Sequence, residues 1–340
     1  MKAAVFHEFG GPEVVRVEEV PQPSPGPGEV LVEVKAAALN HLDLWVRRGL
    51  PVETPMPHIG GSDVAGVVAA AGAGGGGVEP GARVVVNPSL WCGRCEWCVR
   101  GEESLCVQFG IIGEHTQGGF AEYVVVPAAN LYPIPAGFPF EEAAAAPLVF
   151  ATAWRGLITR ARLRPGETVL VTGASGGVGS AAVQIARLAG ARVFAVTTSE
   201  HVERVQSLGA DVVYDRTTVD YSKEVWKDTG KRGVDVVFDS VGQATWAGNV
   251  RALARGGRLV VYGATTGPVA ETDLRVVFWK QVEIIGTTMS SRHEFERVMG
   301  LVFGGRLKPV VDVVWPLGRA REAHERLERG DQFGKIVLVP

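Results

Sequence analysis

Four cysteines, Cys92, Cys95, Cys98 and Cys106, are all that the chain contains, and their C-x2-C-x2-C-x7-C spacing confines four thiols to one short stretch. Thiolates so close in sequence can surround one tetrahedral zinc, and closing such a site contributes roughly 10–16 kcal/mol to folding. A ferredoxin-type run also begins C-x2-C-x2-C, but its fourth cysteine follows three residues later and precedes proline. Here seven residues intervene and Val107 follows. Disulfides need an oxidising compartment, whereas Met1-Lys2 leads straight into a strand-like Ala3-Ala4-Val5-Phe6 with no signal-peptide pattern. A zinc ribbon for nucleic acid separates its two knuckles by a longer loop. The expectation is one structural zinc per subunit on these four cysteines, with no cysteine left over for a second, reactive metal.

A second chemistry lies in Leu170-Val171-Thr172-Gly173-Ala174-Ser175-Gly176-Gly177-Val178-Gly179, a strand running through a glycine-rich turn into a helix. Glycines let the backbone turn sharply and approach a pyrophosphate, and the helix start offers free N–H groups and the positive end of its dipole. Val178, Ala182, Ile185 and Ala189 are the expected inward stripe of that helix. The next strand ends in Thr197-Thr198-Ser199, where an NAD-selective site normally carries an acid for the ribose 2′-hydroxyl. The first acid is Glu200, past the strand end, and the nearby positive partners are His201 and Arg204. A neutral strand end with hydroxyls favours NADP(H) over NAD(H), with dual use open.

The elements that must hold these residues divide the chain. Alternation of Val30, Val32 and Val34 with Leu31, Glu33 and Lys35 predicts a strand over 29–35, with further strands over 63–69, 82–87 and 121–126. The glycine run 72–77 reads as a turn joining strands. From about residue 151 the rhythm becomes strand, helix, strand, with strands over 168–172, 192–196, 234–238, 258–262 and 282–285 and helices over 177–189 and up to Leu208. That alternation implies an α/β domain with a parallel sheet covered on both faces. A capping box, Ser291-x-x-Glu294, starts another helix; a helix over 319–329 and the strand Lys335–Val339 finish the chain and are free to return to the first domain.

Bulk composition narrows the function classes. The 340 residues are 46% hydrophobic and 21% charged, as in a folded two-domain protein. A net charge of −3 gives no electrostatic reason to expect nucleic acid or an anionic membrane. The best apolar run, 143–154, is short of a membrane span and contains Pro147. With no targeting signal, the expected location is the cytoplasm.

Further landmarks are Pro27-Gly28-Glu29-Val30-Leu31-Val32, Gly61-Ser62-Asp63-Val64-Ala65-Gly66, Gly118-Gly119-Phe120-Ala121-Glu122-Tyr123 and Asp239-Ser240-Val241-Gly242. With the glycine loop and the cysteine cluster, they make the chain resemble the medium-chain, or zinc-type, dehydrogenase/reductases along nearly its whole length. The resemblance implies a GroES-like β domain for the substrate (1–150 and 290–340, zinc lobe about 91–107). It also implies a Rossmann domain for the cofactor (151–289), a cleft between them, and a homodimer or homotetramer acting on a small-molecule substrate.

The zinc alcohol dehydrogenases of that family hold a second zinc with Cys, His and usually Cys. The first position is Asn40 here, the second Ser62, and the third falls in Pro147-Leu148-Val149-Phe150-Ala151, which has no ligand. The proton-relay hydroxyl becomes Leu42 and the relay histidine Trp45. Instead, Asn40-x-x-Asp43-x-x-x-Arg47-x-Gly49 and the longer glycine loop resemble the quinone oxidoreductase branch, which typically lacks the zinc-lobe cysteines. His41, His58, Asp63 and His115 could rebuild a metal site only from a spacing that matches none of the usual ones.

The missing ligands bear on the reaction. Removing a proton from a free hydroxyl near pKa 16 at neutral pH costs roughly 12 kcal/mol, which zinc can offset and Asn or Ser cannot. A quinone or an α,β-unsaturated carbonyl spreads the incoming charge over its π system, and hydrogen-bond donors can stabilise it. The expected reaction is hydride transfer from NAD(P)H to such an acceptor, with Asn40 orienting or polarising its oxygen, Asp43 holding backbone or an arginine, and Arg47 adding positive potential. Thr152 matches a cofactor-contacting threonine of the family, and Gly263 and Met289 are placed at strand ends facing the nicotinamide. The alternatives are a zinc alcohol dehydrogenase and a non-enzymatic NADPH-binding protein.

Overall fold

Valines at every second position build the first sheet. In the strand Glu29–Ala38, Val30, Val32 and Val34 are buried in one core, while Ala36 and Ala38 face a second with Ala65, Val85 and Val337. The strand is therefore covered on both sides, and Leu31 is buried as well. The computed structural model describes residues 1–75 and 77–340; Gly76, in the expected 72–77 turn, lies outside the described residues.

One unit comprises Met1–Val149 with Ser290–Pro340, the other Phe150–Met289. In the first, a sheet runs Leu131–Pro133, Arg83–Val86, Asp63–Ala71, Glu29–Ala38, Lys335–Val339, Val311–Pro316, and Tyr123–Pro127 also pairs with Glu29–Ala38. The C-terminal strand thus inserts beside the N-terminal ones. Register then places three distant segments side by side: Ala38 lies opposite Asp63 on one flank and opposite Val337 on the other.

The second unit holds six parallel strands in the order Val212–Asp215, Arg192–Thr197, Thr168–Val171, Val234–Asp239, Leu253–Val261, Glu283–Gly286. Its central strands are buried along nearly their whole length, as a sheet covered by helices on both faces requires. The fold class is α/β, a Rossmann sheet with a GroES-like β domain. The helix Gly177–Leu188 buries Gly179, Ala182, Val183, Ile185 and Ala186, whereas Val178 and Ala189 of the expected stripe are only half-buried. The outer strand Glu283–Gly286 has one neighbour, and it and the preceding helix Leu274–Lys280 expose Leu274, Phe278, Trp279 and Ile284. Among the described residues, no helix is long and apolar enough to cross a membrane.

Candidate functional site

Asn40 lies two residues past the strand Glu29–Ala38 and is the N-cap of the helix His41–Arg48. The amide oxygen accepts from Lys335 Nζ at 2.5 Å, and Nδ2 donates to Asp63 Oδ2 at 2.9 Å. Lys335 Nζ also donates to the same Asp63 oxygen at 2.9 Å, so the three side chains close a triangle. Asn40, Asp63 and Lys335 are 5%, 0% and 3% exposed. Asp63 Oδ1 takes the backbone N–H of Leu148 at 2.8 Å, in the first turn of the helix Pro147–Trp154. Beside Asp63, Ser62 is buried with no hydrogen-bond partner for its hydroxyl among the described residues.

Asp43 holds backbone, one of the two roles expected of it. Its carboxylate accepts from Asn40 N at 2.7 Å and from Gly61 N at 3.0 Å, fixing the turn that carries Asn40 against the loop leading to Asp63. Burial pushes the Asp43 carboxyl up to about 7, while the two backbone N–H groups and the Lys335 charge pull it down. Arg47 has a different place from the expected one. Its guanidinium is 0% exposed and donates to Gly10 O (3.1 Å) and Glu328 (3.2 Å), with His324 Nδ1 at 3.3 Å. It shares the Glu328 carboxylate with Arg48, and it ties the helix His41–Arg48 to the helix Ala320–Arg329. Burial first, then Arg47, drives the His324 pKa down to about 3, so the ring is a neutral acceptor at physiological pH.

The isolated histidines also have their own partners: His58 lies within 3.0 Å of Gly113 O, His115 accepts from Ile111 N, and His41 packs edge-on against Trp45. Among the described residues, Cys92, Cys95, Cys98 and Cys106 are the one group of three or more His, Cys, Asp or Glu that could share a metal. Their sulfurs lie within 4.8 Å of one another, with Cys95–Cys98 at 3.6 Å and Cys92–Cys98 at 4.0 Å. A tetrahedral zinc with bonds of about 2.3 Å sets S···S near 3.8 Å, so the donor set fits that ion. Backbone N–H groups already point at it, from Cys95 to Cys92 Sγ and from Cys92 and Gln108 to Cys106 Sγ. N–H donors, that of Cys98 foremost, lower the Cys95 thiol to about 6, while burial and its sulfur neighbours push Cys98 up to about 12. Four thiolates cannot ionise together without a cation.

In the second unit, the glycine loop has the form a pyrophosphate requires. Gly173 turns with φ +60°, and Gly176 is the N-cap of a twelve-residue helix whose first N–H groups lack intrahelical partners. At Gly179 a Cβ would lie 2.2 Å from Gly173 O, so only glycine permits the loop and helix to approach this closely. Ala174 is buried, and Ser175, Gly177 and Val178 are half-buried around the turn. Asp239 braces the loop from the neighbouring strand: it accepts from Thr172 Oγ1 (2.5 Å), Thr245 Oγ1 (2.8 Å) and Gly242 N (2.9 Å). Thr152 and Met289 meet, Oγ1 to Sδ at 3.9 Å, with Met289 in the left-handed region at φ +48°. Gly263 sits against Ser240.

The end of the strand Arg192–Thr197 holds a residue that the sequence reading missed. Thr197 lies opposite Asp215 of the neighbouring strand. Ser199 Oγ donates to Asp215 Oδ2, and Thr217 donates to Oδ1 from both backbone (2.9 Å) and hydroxyl (2.6 Å). Those hydroxyls, Ser199 first, hold the Asp215 carboxyl down at about 2. The neutral strand end therefore has an ionised acid beside it, while Thr197 Oγ1 is buried without a hydrogen-bond partner among the described residues and Thr198 Oγ1 bonds Glu200.

Comparison with known proteins agrees with both halves of the fold. The model for the alcohol dehydrogenase GroES-like domain matches residues 26–136, and that for zinc-binding dehydrogenases matches 177–304. The acryloyl-coenzyme A reductase of Metallosphaera sedula is 35% identical over 341 residues, covering all of both chains. The quinone oxidoreductase of Homo sapiens is 32% identical over 349 residues, covering 100% of this chain and 98% of its own. A solved NAD-dependent alcohol dehydrogenase superposes with a TM-score of 0.96 at 47% identity, covering all of both chains.

Proposed function

This chain belongs to the medium-chain, zinc-type dehydrogenase/reductase family and is an oxidoreductase of the NAD(P)(H)-dependent kind; from that premise we propose that it reduces a quinone, an enone or a related conjugated carbonyl without a catalytic metal. The observation that carries this reading is the state of Asn40. The residue that would be the first ligand of a second zinc is a neutral amide already bound on both sides by a buried Lys335–Asp63 pair. The relatives named for quinone and acryloyl-coenzyme A reduction support the same class of acceptor.

Bound NAD(P)H supplies the hydride, two electrons with one hydrogen nucleus. Addition at the β-carbon of an enone breaks the C=C π bond and leaves an enolate, which takes a proton from solvent at the α-carbon. The negative charge develops on the carbonyl oxygen, and a pre-oriented amide donor there stabilises it without reorganising. Asn40 is that donor, Asp43 fixes its backbone, and Thr152 with Met289 forms part of the wall at the cofactor end of the second unit.

The 47% identical alcohol dehydrogenase favours a second reading, metal-assisted alcohol oxidation. Steady-state assays decide between them. NAD(P)H oxidation with benzoquinone and with α,β-unsaturated ketones and thioesters is expected to exceed NAD(P)⁺ reduction by primary and secondary alcohols by at least about a hundredfold. Equal rates with alcohols, with two metals per chain, would overturn the proposal, and no turnover with any acceptor would point to a non-enzymatic cofactor-binding protein.

For the cofactor, the hydroxyls at Thr198 and Ser199 suit a 2′-phosphate, whereas ionised Asp215 on Ser199 opposes one. We read the pocket as accepting both NADPH and NADH. Asp215→Asn removes a charge from beside the 2′ position and is expected to tighten NADPH by about tenfold, the order of one screened charge pair at short range, with NADH changed less than about twofold. Fluorescence titration of both cofactors measures this; equal effects on the two would detach Asp215 from the 2′ position.

A further inference from the structure

Lysine is rarely fully buried unless paired, and Lys335 is an outlier in its own strand: Ile336, Val337 and Leu338 after it are core residues. Register explains how it arrives. Val337 pairs with Ala38 in antiparallel fashion, so two residues back along one strand and two forward along the other bring Lys335 opposite Asn40. Its backbone is fixed as well, Lys335 N donating to Val310 O at 2.8 Å.

We propose that Lys335 is a positioning residue of the acceptor site: with Asp63 it holds the Asn40 amide in one orientation and polarises it, strengthening the remaining amide N–H as a donor to the acceptor oxygen. The inference rests on the reading of Asn40 given above. Its argument begins with the inventory of an amide, which offers two lone pairs on oxygen and two N–H donors. An ammonium faces Oδ1 at 2.5 Å and a carboxylate faces Nδ2 at 2.9 Å. Turning the amide over would set N–H against ammonium and carbonyl against carboxylate, so the surrounding charges permit one orientation. One N–H is used by Asp63, and Ala38 O, at 3.5 Å from Nδ2, is too far for a good second bond. The other N–H has only that long, weak contact to Ala38 O, which a better acceptor can replace. A cation on the oxygen of an amide draws electron density from its nitrogen, and in a low-dielectric interior this polarisation strengthens the donor.

Stability is a poor explanation for the pair. A buried ion pair often contributes no more than a well-packed apolar one, because both charges must be desolvated. Asp63 is also fixed on its second oxygen by Leu148 N, so Asn40 is held by groups that cannot themselves swing.

The test compares Lys335→Arg, Lys335→Met, Asn40→Ala and the charge-neutral double variant Lys335→Met/Asp63→Asn, which leaves no unpaired buried charge where Lys335→Met alone would. Four quantities are read: the thermal midpoint, NAD(P)H affinity by fluorescence, kcat and KM for a conjugated acceptor at saturating cofactor, and the Asn40 side-chain NH2 pair in ¹H–¹⁵N spectra, assigned by its loss in Asn40→Ala. The double variant is expected to keep a cooperative thermal transition and its cofactor affinity, to lose about tenfold to a hundredfold in kcat, and to shift the Asn40 proton resonances upfield; Lys335→Arg recovers part of kcat. Introduced into Asn40→Ala, the same double change is expected to alter kcat by less than twofold. A double variant with wild-type kcat, while Asn40→Ala loses activity, overturns this inference alone. An equal further loss in the Asn40→Ala background does so too, because Lys335 would then act by another route. Unchanged kcat in Asn40→Ala overturns the acceptor-site reading and this inference with it, and the NMR pair still reports whether Lys335 orients Asn40.

Discussion

Gly179→Ala is expected to lower NAD(P)H affinity by at least about a hundredfold and to lower the thermal midpoint as well. The added Cβ would stand 2.2 Å from Gly173 O and 2.8 Å from the Ala174 Cα, distances that no side-chain rotation relieves because both atoms are backbone. Something must shift, and Gly173 has little room: its φ of +60° sets the turn, and its carbonyl also accepts from Gly176 N at 3.0 Å. Moving that carbonyl moves the N–H groups that the pyrophosphate needs, while overpacking of this kind commonly costs about 1–3 kcal/mol in its own right. Gly176→Ala is the internal control. Its φ is −74° and its Cβ would meet nothing closer than Gly173 O at 3.4 Å, so it should bind cofactor within a few-fold of wild type. Fluorescence titration and calorimetry on the two variants measure both effects. Wild-type affinity in Gly179→Ala would mean that the loop does not hold the pyrophosphate.

What the sequence could disclose depended on how many residues apart the partners lie. The glycine loop is legible because all of its parts are contiguous, and Gly173 and Gly179 each have a backbone reason to be glycine. The cysteine cluster is legible for the same cause. The Lys335–Asn40–Asp63 triangle is not, since it exists only through the pairing of three strands that the chain reaches at its beginning and at its end. A faint signal was present: a lysine opening a run of core residues, Lys335-Ile336-Val337-Leu338, directly after Gly334. A solvated strand end looks the same in one dimension. Arg47 illustrates the opposite error. Its place in a motif suggested a role at the substrate, but its helix turns it inward to His324 and Glu328, residues far along the chain whose proximity no local pattern reveals. Asp215 was missed because its strand, Val212–Asp215, is four residues long, too short for alternation to announce it. Parallel pairing then delivers an acid to a strand end that by itself carries none.

Metal analysis of the purified protein should return close to one zinc per chain, and removing that zinc should cost the first unit much of its stability. The Cys92–Cys106 segment has little else to hold it: a four-residue helix Glu96–Val99, a three-residue turn Glu103–Leu105, and the two-residue pairing of Ser89–Leu90 with Gly110–Ile111. Cys92, Cys95 and Cys98 are only half-buried, so apolar packing cannot replace the metal. Structural zinc sites of four thiolates bind with roughly 10–16 kcal/mol, and that free energy is available only to a segment already folded around the ion. Cys98→Ser removes the ligand with the most sulfur neighbours and is expected to lower zinc content below about 0.2 per chain and the thermal midpoint by at least about 10 °C; dialysis of wild type against a strong chelator should reproduce the shift, and added zinc should reverse it only in wild type. The sign follows from linkage, since an ion that binds the folded state alone stabilises it and its withdrawal must destabilise. A midpoint indifferent to chelation would remove the zinc from the account of this segment. A ratio near two would do more, because the second ion would need ligands beyond the four cysteines, and the metal-free reduction proposed around Asn40 would fall with it.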